Sequence, residues 1–148
     1  MENQNIQQPL SIVTDREIAL INSIDTFLPQ SSHILCRWHV NMNILAKTKK
    51  FFPGPIKGDD GITHRHPKFK EFMADWISVL NSNTVDEYQK NLEHLRRYAR
   101  GAVDYVEGAW LRLWKEKLVC CWVDQNLHFG VLVTSPIEGY HSTLKSYL

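Results

Sequence analysis

Three groups of residues in this chain have the types and spacing to do chemistry. Cys36 and His39 stand three positions apart in C-R-W-H, and a thiolate and an imidazole are good zinc ligands. Two ligands make half of a structural site. The candidates to complete it, Cys120, Cys121 and His128, follow at a spacing that matches no finger pattern, so a zinc centre is not expected. The same pair could serve as a thiol nucleophile and its base, but no third orienting group or oxyanion loop accompanies it. Asp15 lies in S-I-V-T-D-R-E-I-A-L-I-N, where an apolar triplet gives way to helical spacing. Thr14 and Glu17 read there as a T-x-x-E capping box, and a carboxylate at the first helical position suits the positive end of the helix dipole. A carboxylate at a strand-to-helix junction can equally be catalytic, and the stretch alone leaves both readings open. The third group is T-S-P-I-E-G-Y-H-S-T-L-K-S-Y-L, with Ser135 placed as N-cap, Pro136 at the first helical position and Glu138 as the capping-box glutamate. Glu138, His141, Ser142 and Lys145 then form one polar stripe opposite Ile137, Tyr140 and Leu144, either a solvent face or a site.

Short strands and helices must position these residues. A strand at residues 10–13 leads into a helix from Asp15 to about Leu28, with Ile18, Leu20, Ile21, Ile24, Phe27 and Leu28 as its apolar side and Pro29 closing it. A second strand is expected at residues 33–36. Helical spacing then resumes through Trp38, Met42, Leu45 and Ala46 as far as Pro53. Three more helices are expected, from Pro67 to Leu80, from Val85 to Tyr98 behind a second T-x-x-E at Thr84 and Glu87, and from Val103 to Trp122. Their aromatic residues, Phe69, Phe72, Trp76, Tyr88, Tyr98, Tyr105, Trp110, Trp114 and Trp122, read as core rather than as a platform for stacking bases.

Composition narrows the function classes. With 148 residues and 43% hydrophobic content the chain can build one domain with a real core, and no run approaches the roughly 18 apolar residues of a membrane span. The opening M-E-N-Q-N-I-Q-Q-P-L lacks the basic and apolar regions of a signal peptide, and three cysteines, two of them adjacent, suit a reducing compartment. An intracellular location with no membrane partner is therefore expected. A net charge of +1 gives no global attraction to nucleic acid. Locally, Lys47, Lys49, Lys50, Lys57, Arg65, Lys68 and Lys70 face only Asp59 and Asp60 in a stretch that also holds His64 and His66. Its P-G-P and K-G-D-D-G segments read as a loop, which is either simply solvated or touches phosphates.

Taken in order, the Asp-Arg-Glu-x-Ala-Leu block, the C-R-W-H block and the H-F-G…S-x-x-E-x-x-H-S-x-L-K block closely resemble the Mutator-like element (MULE) transposase domain, from about Pro9 to Leu148. The resemblance implies an α/β fold by ancestry that is mostly helical here: a partial RNase H-like fold behind a polar tail at residues 1–9, with an all-helical insertion at about 53–127. It implies a D-D-E triad in which Asp15 matches the second aspartate and Glu138 the glutamate. Such acids hold Mg2+ or Mn2+ for DNA cleavage and strand transfer, and two-metal chemistry places the ions about 3.5–4 Å apart. Cys36 and His39 match the family's C-x-x-H motif, with a role in positioning DNA or the active site. Lys47, Lys49, Lys50, Arg65, Lys68, His141 and Lys145 become candidates for DNA contact. The implied partners are transposon ends and target DNA, with self-association, in the nucleus.

One departure from the family matters. Its first aspartate lies on an upstream strand, whereas the only acid before Asp15 here is Glu2. The first strands with their aspartate, and the usual zinc-finger DNA-binding segment, are expected to be missing, so the chain is expected to be a fragment or decayed copy of a DDE transposase, inactive by itself. The alternatives are a domesticated, non-catalytic DNA-binding or transcription-regulatory protein, like the far-red-response factors related to this family, and a helical interaction module.

Overall fold

The computed structural model describes residues 6–125, which fall into two compact units: one with the described residues up to Val40 and from Asp124, the other Asn41–Val123. The protein is mostly helical with a few short strands, a mixed α/β composition.

The first unit is a strand–helix–strand. β1 (Ser11–Thr14) and β2 (Ser32–Leu35) pair in parallel, Ser11 opposite Ser32 and Thr14 opposite Leu35, with α1 (Ile18–Phe27) as the crossover that parallel strands require. Both strands lie one residue from their expected positions. The ladder runs past its ends, since Ser32 N–H donates to the Leu10 carbonyl at 2.9 Å and Cys36 N–H to the Thr14 carbonyl at 2.7 Å. β2 is buried along His33, Ile34 and Leu35, consecutive residues that point to both faces, as expected of a parallel strand. Of the expected apolar side of α1 only Ile21 and Ile24 are buried, while Ile18, Leu20 and Phe27 are exposed.

The helix begins at Ile18 and not at Asp15. Glu17 is its N-cap with extended backbone and no side-chain cap bond, so the T-x-x-E box expected at Thr14 does not form. Thr14 belongs to the strand, and its hydroxyl is committed elsewhere. The second T-x-x-E does cap its helix: Thr84 Oγ1 accepts the Glu87 N–H at 3.1 Å, and the Glu87 carboxylate accepts the Asn83 N–H at 2.7 Å.

α2 (Arg37–Thr48) starts in the first unit and continues into the second. It buries Val40, Ile44 and Thr48, one i,i+4 row, and leaves Trp38 and Met42 exposed, so the buried face is not the one expected. Thr48 can occupy it because its hydroxyl donates back to the Ile44 carbonyl at 2.6 Å. A polar residue that satisfies itself within the helix hides that face from a hydrophobic pattern.

The second unit continues with a turn at Lys49–Phe51 and a small antiparallel hairpin, β3 (Ile56–Lys57) and β4 (Thr63–His64). Helices α3 (Pro67–Leu80), as expected, α4 (Val85–Leu95), three residues short of its expected end, and α5 (Arg100–Val106), which starts three residues early, follow. The single helix expected from Val103 to Trp122 is interrupted. One wide π turn at Glu107–Leu111 joins α5 to α6 (Arg112–Trp114), and the chain passes a tight turn at Lys115–Lys117 before restarting as α7 (Cys120–Val123). The break follows from packing: Leu118 and Val119 are fully buried, and Cys121 N–H donates to the Ser82 carbonyl at 2.8 Å.

The aromatic residues do form the core of this unit. Phe72 and Trp76 are wholly buried and Trp110 nearly so. The Phe52 ring lies 5.2 Å from that of Phe69 and 5.0 Å from that of Phe72, and Tyr98 meets Phe72 edge-on at 5.5 Å. Trp76 satisfies its buried indole N–H on Asn41 Oδ1 at 2.9 Å.

Candidate functional site

In the first unit Asp15 is the residue after β1 and Cys36 the residue after β2. Both therefore stand at the carboxyl end of a parallel strand pair, the end at which open α/β sheets bind their ligands. Asp15 is exposed, and its Oδ1 accepts the Arg16 N–H at 2.7 Å. Its carbonyl accepts the Glu17 N–H at 3.0 Å and the Thr14 hydroxyl at 2.8 Å. The Thr14 oxygen also lies 2.6 Å from His33 Nε2, with both residues buried. A hydroxyl has one proton to give, and that proton goes to the Asp15 carbonyl, so His33 Nε2 carries the hydrogen that the hydroxyl accepts. His33, Thr14 and Asp15 thus form a chain of hydrogen bonds that fixes the strand end. Nothing in the sequence pointed to His33, because the contact spans nineteen positions and belongs to no local pattern.

The C-x-x-H motif occupies the neighbouring turn. Cys36 is buried, and its carbonyl accepts the Val40 N–H at 3.2 Å as α2 begins. His39 is half-buried and meets the Trp38 ring edge-on at 4.8 Å. Asp15, Cys36 and His39 are therefore brought to one end of one unit, whereas Cys120 and Cys121 belong to the other. Glu138, His141 and Lys145, with His128, lie outside the described residues. Among the described residues no three His, Cys, Asp or Glu side chains form a group able to hold a metal ion. Asp15 fits a hard cation in kind, as an exposed carboxylate with one backbone N–H on Oδ1, and it supplies one ligand of a set.

The described cations expected to touch DNA are on the second unit. Lys47 is in the last turn of α2, Lys49 and Lys50 are in the next turn, Arg65 follows β4, and Lys68 is in the first turn of α3. The stretch expected to be a loop is built around the hairpin. Its turn is closed by Gly61 N–H to the Gly58 carbonyl at 2.9 Å, with Gly61 at φ 77°, a conformation open to glycine. The Ile62 N–H and then the His64 ring hold the Asp60 carboxyl below its usual range, at 2.9 Å each. One of the two acids in this basic stretch is thereby engaged within the hairpin.

A parallel strand pair with a crossover helix, and a carboxylate just past its first strand, makes this a mixed α/β unit with its acid at the carboxyl end of the strands. Residues 1–43, which include that strand–helix–strand, match the family model of the MULE transposase domain. The MULE resemblance is thus shown for the stretch that carries Asp15, Cys36 and His39. The chain is also 26% identical over 161 residues to the PKS-NRPS hybrid synthetase cheA of Chaetomium globosum, a match that covers 97% of this chain and 3% of that protein. It spans so little of the synthetase that it carries no argument about chemistry. No solved structure matches the chain. No helix among the described residues is long and apolar enough to cross a membrane.

Proposed function

We propose that this chain is part of a MULE-type DDE transposase of RNase H-like ancestry, acting in metal-dependent DNA cleavage and strand transfer in the nucleus. The observation that supports this most is the position of Asp15: one residue past a parallel strand, beside the C-x-x-H turn, inside the stretch that the family model matches. In this reading Asp15 and Glu138 are two of three acids that would hold Mg2+ or Mn2+, which would supply Lewis-acid stabilisation of the attacking and leaving oxygens. The chain's own part is to present the carboxylate. His33, through Thr14, fixes the peptide from which the Asp15 side chain projects. The third acid is assigned to no residue of these 148, so they are proposed to be inactive alone. Cys36 and His39 are proposed to shape the turn that receives DNA.

Titration calorimetry with Mn2+ tests this reading. The wild-type chain is expected to bind the ion weakly and specifically, and Asp15→Asn and Glu138→Gln to lose that binding while keeping the fold. Equal binding in all three would refute the assigned roles. DNA binding that ignores Mn2+ and survives both substitutions, joined to that result, would favour the regulatory alternative, for which the basic stretch of the second unit suffices.

A further inference from the structure

A cleft of about 300 Å³ in the second unit is lined by Lys49 from the turn after α2, Arg65 after β4 and His66 at the head of α3, together with Pro53, Pro55 and Phe69. Neither Lys49 nor Arg65 has an acidic partner among the described residues, whose ion pairs engage His64, Arg96 and Arg100. His66 caps α3, its Nδ1 accepting the Lys68 N–H at 3.2 Å. That bond leaves the proton of the neutral ring on Nε2, so His66 brings a donor to the cleft without needing a charge. Two uncompensated cations of one sign over apolar walls focus a positive potential. A guanidinium fork, an ammonium and a ring N–H together match the several acceptor oxygens of a phosphate.

We propose that this cleft seats one backbone phosphate of a DNA strand, with the deoxyribose against Pro53 and Pro55. A lone anion would be satisfied by the cleft itself, but Lys47, Lys50 and Lys68 stand in the same stretch with a single further acid, Asp59, so the charge continues beyond one phosphate. Only the choice of DNA among polyanions rests on the transposase reading. The apolar walls give the sugar a surface that a bare charge cluster lacks.

The test is fluorescence anisotropy of the full chain with a short labelled DNA strand, repeated with the same sequence as RNA and with inorganic phosphate or dTMP as competitor. Lys49→Ala with Arg65→Ala is expected to weaken DNA binding at least tenfold and to flatten its salt dependence by about one unit of slope. Lys57→Ala with Lys70→Ala removes the same charge outside the cleft and is expected to cost less than threefold. His66→Asn keeps an N-cap acceptor, loses the ring N–H, and is expected to cost about threefold with an unchanged melting temperature. Equal losses in the two double variants, or wild-type affinity in Lys49→Ala with Arg65→Ala, would overturn the cleft. Tighter binding of RNA, or binding of the small phosphates without DNA, would overturn its occupant. The Mn2+ titration reads the catalytic reading in a separate assay on other residues, so its failure and failure of the cleft are separate results.

Discussion

The two units hold their functional groups by different means. The first has a small aliphatic core that includes Ile21, Ile24, Ile34 and Leu35, and it leaves Ile18 and Phe27 at 56% and 76% exposure. The second encloses Phe72, Trp76 and Trp110. Each buried aromatic removes roughly 150–250 Å² from water, so apolar burial stabilises the second unit far more. The first relies on directed bonds: a four-residue parallel ladder and the buried His33–Thr14 contact that fixes Asp15. The carboxylate proposed for catalysis thus rests on polar geometry, and the cations proposed for DNA rest on a packed scaffold. Substitutions in the two units are therefore expected to fail in different ways.

The largest effect is expected in the second unit. Trp76→Ala removes a wholly buried ring and strands Asn41, and should cost about 3–5 kcal/mol in urea unfolding. A loss below about 1 kcal/mol would mean that aromatic packing does not carry this unit. In the first unit, Thr14→Val keeps the strand and the volume but leaves the buried His33 Nε2–H without its acceptor, and should cost about 1–3 kcal/mol. Hydrogen exchange would check it, with faster exchange expected at Glu17 and Cys36, whose N–H groups bond the Asp15 and Thr14 carbonyls. Unchanged rates there would remove the polar account of the first unit.

A smaller effect concerns pH. Desolvation, aided by its hydrogen bond to Asp75, pushes the Tyr98 phenol up to about 12 from 10.0. The folded state then keeps a proton that the unfolded chain has already lost. The stability linked to this group is full below pH 10 and is lost as pH rises toward 12. Melting temperatures across that range should fall more steeply for wild type than for Tyr98→Phe, and parallel curves would contradict the assignment. The smallest stability change is expected for Asp15→Asn, within about 0.5 kcal/mol, since the side chain is exposed and its Oδ1 accepts one local N–H.

The comparison also explains what the sequence could reveal. The same T-x-x-E pattern occurs at Thr14 and at Thr84, and only the second caps a helix. At Thr84 the deciding partners, Asn83 and Glu87, are local and visible in the sequence. At Thr14 the decision lies with His33 across a parallel ladder, which no local pattern records. Both strands were legible to within one residue because their apolar runs are short and bounded, and α3 was legible to its ends, its start marked by Pro67 at the first helical position. The buried face of α2 was hidden by Thr48, and the break before α7 by the burial of Leu118 and Val119. Motif order carried the MULE resemblance, and the strand-end position of Asp15 was legible from the apolar triplet before it, whereas the His33–Thr14 contact behind it emerged only with the fold.

The most direct test of that position is Mn2+-induced paramagnetic broadening of amide resonances, read residue by residue in wild type and Asp15→Asn. Asp15 as a metal ligand predicts selective loss of the Arg16, Glu17, Cys36 and Arg37 signals in wild type and their survival in the variant. Broadening that is absent, or identical in both proteins, would contradict the claim that the first unit presents a catalytic carboxylate.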